Sequence, residues 1–296
     1  MAAAQDGHAA VFQEHRPLLF SLAYRMVGSA AEAEDIVQDT YLRFQPAPLD
    51  TIRSPRAFLS AIVIRLCLNH LASARVRRET YVGPWLPEPV GDAAHPELAG
   101  PEARAVEADT ISLAFLVLLE RLTPAERAVF LLREVFEYEY DEIASILGRS
   151  EPACRKLFSR ARDHIAAHRP RFQASPEEHR RLLERFLRAA RTGDIDGLTA
   201  LLADDVTLWA DGGGKIPGAA PRPVHGAAGV ARFLIGVTAR FTPPGARLLV
   251  ANVNGKPTLL VQRADGTPFV VVSIEVDQSR IRTVWAIGNP DKLRAV

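Results

Sequence analysis

Cysteine is scarce in this sequence, because the 296 residues contain only Cys67 and Cys154. Two cysteines so far apart do not form the disulfide framework of a small secreted protein, so we expect both to be small core side chains. No apolar run reaches the roughly 18–20 residues that a membrane-spanning helix needs. The first residues lack the basic and apolar segments of a secretory signal. These absences favour a cytoplasmic protein with no membrane partner.

A large net charge is also absent: 36 basic and 35 acidic side chains leave a formal charge of +1. The chain is therefore not a polycation that coats nucleic acid, and any DNA binding has to come from local patches. Lysine is rare too, since only 4 of the 36 basic residues are lysine and 32 are arginine. Clustered arginine favours bidentate contacts to phosphate and guanine.

The first segment, residues 9–78, has the apolar spacing of helices. Leu18, Leu22 and Met26 recur at intervals of four residues, which predicts one face of a first helix. Ser29 is expected to cap a second helix, and Ser54-Pro55 has the cap and early proline of a third.

A composition change separates residues 79–110 from the helices around them. This segment holds five prolines, three glycines and seven acidic residues against one arginine. Such a composition predicts an acidic, flexible linker. Trp85 and Leu86 are unusual in a free tether, and we expect this part of the linker to dock on another surface.

Residues 111–170 contain a predicted helix-turn-helix unit. A short helix over 141–148 ends in glycine, and Ser150-Glu151-Pro152 begins the next helix. On that second helix a buried stripe is predicted for Cys154, Phe158, Ala161 and Ile165. The N-terminal half of a recognition helix faces base edges, whereas outlying cations contact phosphates. The predicted base-edge residues are Glu151, Arg155, Lys156 and Ser159, and the predicted phosphate contacts are Arg160 and Arg162.

The last segment, residues 174–296, is predicted to be α+β with a curved antiparallel sheet. Helical patterns cover about 176–192, 194–203 and 226–238, and strand patterns follow at 248–253, 258–263, 268–276 and 281–287. Asn254-Gly255 and Asp265-Gly266 are typical hairpin turns between these strands.

Two of these segments resemble parts of bacterial sigma factors. Residues 122–162 resemble region 4, which reads the −35 promoter element. Residues 31–43 resemble region 2.2, and residues 54–78 resemble regions 2.3 and 2.4, which open and read the −10 element. Two such all-α modules in this order, without regions 1 and 3, are typical of extracytoplasmic-function (ECF) sigma factors. The partners that this resemblance implies are promoter DNA and core RNA polymerase, bound through its β′ clamp and β flap.

The resemblance also implies roles for individual side chains. The expected polymerase-binding residues on the 2.2 helix are Asp35, Gln38 and Asp39. The expected −10 contacts on the basic helix end are Arg65, Asn69, His70, Arg75, Arg77 and Arg78. An acidic linker after this basic end suggests the further hypothesis that the linker folds over it when DNA is absent.

Three short motifs resemble the signatures of one ECF subgroup, which carries a fused SnoaL-like (NTF2-like) domain. They comprise Trp85, Leu86, Pro87, Glu88 and Pro89, then Asp211, Gly212, Gly213, Gly214 and Lys215, and finally Asn289, Pro290, Asp291, Lys292 and Leu293. The resemblance implies control of the sigma factor by its own C-terminal domain, so that no separate anti-sigma factor is required. The glycine-rich motif must be a loop, and it lacks the spacing of a phosphate-binding loop.

Two alternatives stay open. SnoaL-like folds include cyclases and isomerases, and the acid–base candidates here are Asp205, Asp211, His225 and Glu275 near Trp209 and Trp285. No nucleophile–base pair, metal cluster or cofactor motif accompanies them, so we predict no catalytic residue, metal or cofactor. Binding of an unknown small ligand in the pocket of this domain stays open as part of this alternative. The other alternative is a helix-turn-helix repressor that binds DNA without polymerase. The favoured picture has two DNA-reading modules on either side of a flexible tether.

Overall fold

The computed structural model describes residues 2–95, 98, 111–168 and 174–296, and it describes no side chains for residues 2–6 and 74–79. The chain divides into two compact units. The first comprises residues 1–79, 100–111 and 115–169, and the second comprises residues 80–99, 112–114 and 170–296.

The N-terminal part of the first unit is a bundle of three helices. They are α1 (Ala2–Val27), α2 (Ala30–Phe44) and α3 (Pro55–Glu79). The Ser29 hydroxyl accepts a hydrogen bond from the Glu32 amide and so caps α2, as the sequence predicts. Leu19, Phe20, Val37, Phe44 and Leu59 are buried in the bundle core.

Helix α3 contains one stretch, Pro55–Ser73, that is long and apolar enough to cross a membrane by length and composition alone, and 33% of it is buried. The apolar side of this stretch is buried in the bundle, because α3 packs against α1 and α2 and buries Val63, Ile64 and Cys67. A core helix of this kind passes the same test, so the stretch is weak evidence for a membrane span.

The C-terminal part of the first unit contains the predicted helix-turn-helix. Its elements are α4 (Leu113–Glu120), α5 (Pro124–Phe130) with a following π-helical turn (Leu131–Val135), α6 (Tyr140–Leu147) and α7 (Glu151–His168). Thr123 and Glu126 form a reciprocal capping box at the start of α5. Cys154, Ala161 and Ile165 are buried as predicted, but Leu157 is buried where Phe158 was expected, and Phe158 is only partly covered.

The two helical modules pack against each other within this first unit. The Ser60 hydroxyl lies 2.8 Å from the Tyr138 hydroxyl, and the Arg56 guanidinium lies 4.5 Å from the centre of the Tyr138 ring. The buried Arg127 donates to the Met26 carbonyl at 2.5 Å and to the Glu120 carboxylate at 2.8 Å. The picture of two modules held apart by a tether is therefore wrong for this structure, because these contacts join them. The sequence could not predict this packing, since no local pattern shows which buried polar side chains meet.

The second unit is the expected α+β domain. Its helices are α8 (Pro176–Thr192), α9 (Ile195–Leu201) and α10 (Ala227–Phe241). Its strands are β1 (Leu202–Asp211), β2 (Val224–His225), β3 (Arg247–Val253), β4 (Lys256–Gln262), β5 (Pro268–Asp277) and β6 (Arg280–Ile287).

The six strands form one sheet in the order β2-β1-β6-β5-β4-β3. Neighbouring strands run antiparallel except β1 and β6, which are parallel, so the prediction of a fully antiparallel sheet needs this one correction. Register shifts in β1, in β4 and in β5 interrupt the ladder. Such irregularities bend strands, and α8 and α10 bury their apolar faces in the core that the bent sheet helps to form.

The first part of the linker belongs to this second unit. Gly91 forms an antiparallel bridge with Val253, the Gly91 amide donates to the Ala295 carbonyl at 2.8 Å, and the Asn254 amide donates to the Val90 carbonyl at 2.8 Å. Residues 80–92 are thus a docked segment, as expected for the part of the linker that contains Trp85 and Leu86. The side chains of residues 74–79 lie outside the described residues, so the folding of the linker over the basic end of α3 stays a hypothesis.

Candidate functional site

The recognition helix α7 presents its predicted DNA-contacting side chains to solvent. Gly148 adopts φ +61 in the turn before it, a left-handed conformation that glycine adopts without strain. The exposed side chains on α7 include all the predicted ones, namely Glu151, Arg155, Lys156, Ser159, Arg160 and Arg162. Their exposure leaves the helix able to contact DNA.

Two arginines of α7 are oriented by neighbours. Arg155 lies 3.4 Å from the Glu151 carboxylate, and its guanidinium is 4.1 Å from the centre of the Tyr140 ring. Arg160 lies 3.6 Å from the Glu126 carboxylate, which also belongs to the capping box of α5. These contacts limit the rotamers of both side chains before any DNA is bound.

Helix α2 carries the predicted polymerase-binding residues on one exposed face. Asp35, Gln38 and Asp39 are all exposed and recur at spacings of three and four residues. The same face continues to Leu42, whose residue surface is 63% exposed. Leu42 therefore belongs to the acidic face of α2 and not to the core face of Ile36.

The basic end of α3 is only partly described. Arg65 and Asn69 are exposed, and Arg65 lines a groove together with Asp141 and Glu142 of α6. His70 lies 2.8 Å from the Glu32 carboxylate, a contact that the sequence did not indicate. The side chains of Arg75, Arg77 and Arg78 lie outside the described residues.

A buried ion pair lies where the linker meets the α+β domain. The Asp211 carboxylate accepts hydrogen bonds from the Tyr81 hydroxyl at 2.5 Å, the Leu86 amide at 2.8 Å and the Lys292 ammonium at 2.7 Å. Lys292 also donates to the Leu86 carbonyl at 2.5 Å. We call the side chains of Asp211, Asn289 and Lys292 the docking site, because through them the domain binds the linker.

Aromatic linker residues complete the surroundings of Lys292. Its ammonium lies 4.1 Å from the centre of the Trp85 ring and 5.1 Å from that of Tyr81, so both rings supply cation–π attraction. Burial raises the pKa of Tyr81, and the hydrogen bond to the Asp211 carboxylate raises it further. Tyr81 therefore stays a neutral donor, and its oxygen accepts a 2.8 Å bond from the Asn289 amide.

The glycine-rich motif allows the linker to approach closely. A Cβ on Gly213 would lie 2.7 Å from Cγ of Asn289, and one on Gly214 would lie 3.1 Å from Cβ of Val82. Both glycines also have positive φ, +57 and +71, so a larger residue would be strained there as well. The requirement for glycine is thus both steric and conformational.

The remaining motif residues surround the docking site. Lys215 pairs with Asp291, and this contact lowers the pKa of the Asp291 carboxyl. Asn289 begins a short 3-10 helix, Pro290–Lys292, by accepting the Asp291 amide. The buried residues of the three motifs are Leu86, Pro87, Glu88, Pro89, Asp211, Gly212, Asn289, Lys292 and Leu293. The structure therefore brings together three motifs that lie far apart in the sequence.

Comparison with known proteins identifies the family. The family model described as Sigma-70 region 2 matches residues 11–77, Sigma-70, region 4 matches residues 112–165, and SnoaL-like domain matches residues 183–287. The chain is 40% identical over 293 residues to the ECF RNA polymerase sigma factor SigJ of Mycobacterium tuberculosis (strain ATCC 25618 / H37Rv), covering 95% of this chain and 91% of that protein. The chain belongs to the ECF RNA polymerase sigma factors.

Two further comparisons agree with this assignment. The sigma factor is 34% identical over 297 residues to the probable ECF RNA polymerase sigma factor SigI of Mycobacterium tuberculosis (strain CDC 1551 / Oshkosh), covering 98% of this chain and 97% of that one. The crystal structure of Mycobacterium tuberculosis SigJ matches with a TM-score of 0.76 at 37% identity, covering 97% of this chain and 98% of that chain. Region 2, region 4 and a SnoaL-like domain are thus present in the predicted order.

The acid–base candidates of this sigma factor are not gathered at one site. Asp205 is exposed and pairs with Arg282 at 3.3 Å, His225 is exposed beside Thr207, and Glu275 accepts the Thr283 hydroxyl at 2.9 Å. Of these four candidates, Asp211 lines an apolar cavity of the domain, whereas Asp205, His225, Glu275, Trp209 and Trp285 do not line it. Both Asp211 oxygens already accept hydrogen bonds, so the described residues offer no free carboxylate base in the cavity.

Proposed function

We propose that this sigma factor is held in check by its own SnoaL-like domain, which binds the linker at the docking site. The observation that carries the proposal is the buried Lys292–Asp211 pair, which also binds both the amide and the carbonyl of Leu86. Removing one member of a buried pair leaves an uncompensated charge, so the contact is sensitive to single substitutions.

The linker lies between region 2 and region 4, so docking limits how far these modules can separate. A fully extended chain spans about 3.3–3.6 Å per residue, so residues 79–111 reach about 110 Å when free, whereas residues 93–111 contribute about 65 Å and the docked segment adds only its own fixed length. The −10 and −35 elements lie about 85 Å apart on straight DNA. Release of Tyr81–Asp92 therefore frees this segment to extend while both promoter elements are contacted.

The site roles inferred from the sequence belong to the same proposal. Region 4 reads the −35 element through Glu151, Arg155, Lys156 and Ser159, with Arg160 and Arg162 on phosphates. Region 2 binds polymerase through Asp35, Gln38 and Asp39 and contacts the −10 element through the basic end of α3. Because the restraint lies within the chain, no separate anti-sigma factor is required, and the protein acts in the cytoplasm, where we place its polymerase.

The test is transcription by purified core polymerase with the full-length sigma factor, on a promoter fragment selected by binding to the holoenzyme. Lys292→Met removes the ammonium and keeps a side chain of similar length, and we expect it to raise initiation several-fold. Lys215→Met, which breaks the exposed pair with Asp291, is the matched control and should leave initiation unchanged. Unchanged or lower initiation by a folded Lys292→Met protein would contradict the proposal.

A further inference from the structure

The SnoaL-like domain contains an apolar cavity of about 140 Å³ between α8, α10 and the sheet. Its lining is made almost entirely of aliphatic and aromatic side chains, such as Phe186, Leu234, Phe241 and Val272. Arg191 and Asp211 are its ionisable lining residues; Arg191 is exposed, and the Asp211 carboxylate is occupied by linker and lysine donors.

The size and chemistry of the cavity define the kind of ligand that fits. An engineered apolar cavity of about 150 Å³ stays dry and binds benzene or xenon. Drug-sized ligands need roughly 300 Å³ or more, so this cavity holds a molecule of one small ring. A charged group would leave water without a buried counter-ion, which is costly. The fitting class is therefore an uncharged, apolar, monocyclic molecule.

The cavity and the docking site share one wall. Asp211 lines the cavity and binds the linker through its carboxylate. Ile216 lines the cavity directly after Lys215, and Gly288 lines it directly before Asn289. A Cβ on Gly288 would lie 3.7 Å from Ile216, so these two parts of the wall are in near contact.

We propose that the cavity binds an uncharged monocyclic apolar molecule, and that occupancy strengthens linker binding at the docking site. A ligand fills the space behind Ile216 and Asp211, so these residues lose the room to move inward and away from the linker. This inference rests on the proposed docking function, since it adds a ligand to the same restraint.

Toluene is the probe, used with the full-length protein. The first measurement is the thermal unfolding midpoint, which we expect toluene to raise. Val237→Phe, which places an aromatic ring at the cavity lining, should abolish that rise, and Ala190→Leu tests the same space from α8. Ile235→Phe, on the same helix but not in the lining, is the matched control and should respond as the natural protein does.

The second measurement is amide hydrogen exchange of residues 80–92, followed by mass spectrometry. Toluene at ten times its Kd should slow this exchange by up to about tenfold in the natural protein, because opening then requires loss of the ligand. The absence of a midpoint shift, or an equal shift in Val237→Phe and Ala190→Leu, would overturn the ligand site. A shift without slower exchange at 80–92 would overturn the coupling. Neither readout involves polymerase, so failure here is distinct from failure of the Lys292→Met transcription test.

Discussion

At the scale of single side chains, Lys292 and Asp211 form a buried ion pair in which each satisfies the other's charge, and both contact the linker. Lys292→Met leaves a buried carboxylate without its cation. We expect the free energy of unfolding of the second unit to fall by about 3–5 kcal/mol, measured by urea denaturation.

Two further variants serve as controls for the unfolding of Lys292→Met. Lys215→Met breaks an exposed pair with Asp291, which should cost less than about 1 kcal/mol. Adding Asp211→Asn to Lys292→Met removes the uncompensated charge and should recover part of the loss. Equal losses for Lys292→Met and Lys215→Met would show that burial does not set the strength of this pair.

His179 gives the second unit a pH dependence. The imidazole is buried, its Nε2 donates to the Pro257 carbonyl at 3.1 Å, and burial lowers its pKa. The imidazole of the unfolded chain is protonated near the ordinary histidine pKa of about 6.5, whereas the imidazole of the folded protein is protonated only at a lower pH. The contribution of His179 is therefore fully present above about pH 6.5 and is lost as the pH falls below it.

His179→Gln keeps an amide donor for the Pro257 carbonyl but does not titrate. We expect the variant to lose less stability than the natural protein when urea unfolding is compared at pH 7.5 and pH 5.5. Other histidines are common to both proteins, so the difference isolates this side chain. Parallel pH profiles for the two proteins would contradict the assignment.

Some residue-level features could not be found from sequence. The hairpin signals at Asn254-Gly255 and Asp265-Gly266 correspond to observed turns, but β5 and β6 are joined at Gln278 and Ser279, which adopt positive φ without glycine. The docking site was anticipated only as three motifs, because no local pattern shows that Asp211 and Lys292 meet across the fold.

At the level of elements, helices 176–192 and 227–241 and the four later strands lie close to their predicted bounds, because their apolar periodicity is regular. Strand β1 was missed for a physical reason. Asp204 and Asp205 are adjacent and exposed, and the register shifts between Leu202 and Thr207, so the alternation expected of a strand is interrupted there.

Helix α2 provides an element-scale prediction about polymerase binding. Leu42 is exposed one helical turn beyond Asp39, and an exposed apolar side chain at the end of an acidic face offers apolar area that a protein interface can bury. Leu42→Ala should weaken binding to core polymerase by roughly fivefold or more, which corresponds to about 1 kcal/mol. The measurement is equilibrium binding of labelled sigma factor to core polymerase.

Leu249→Ala on β3 is the matched control, since that leucine is 42% exposed but lies in the SnoaL-like domain. It should bind core polymerase as the natural protein does. If Leu42→Ala also binds with unchanged affinity, the apolar part of this face does not contact polymerase.

For the whole molecule, the first unit holds regions 2 and 4 in one packed body. A body of roughly 150 residues has a radius of gyration of about 15 Å and is therefore about 40 Å across. Promoter elements about 85 Å apart exceed that dimension. The packed state thus has to open before both elements are contacted. In the packed state, Arg65 of region 2 lines the same groove as Asp141 and Glu142 of region 4.

Spin labels on Gln13→Cys and Ala166→Cys, both at exposed positions, measure this opening. The native thiols should remain unlabelled, because Cys67 and Cys154 are buried and burial raises the pKa of both. We expect a distance below about 40 Å in the free protein and a longer one in the complex with polymerase and promoter DNA.

Tyr138→Phe removes the hydroxyl that bonds Ser60 and should increase the long-distance population of the free protein, since one buried hydrogen bond contributes about 0.5–1.5 kcal/mol. The apparent Kd for the promoter complex should fall by the factor by which the open fraction of the free protein rises, because only the open form is competent to bind. If the labels keep the short distance in an actively initiating complex, regions 2 and 4 contact the promoter without separating, and the restraint must act elsewhere.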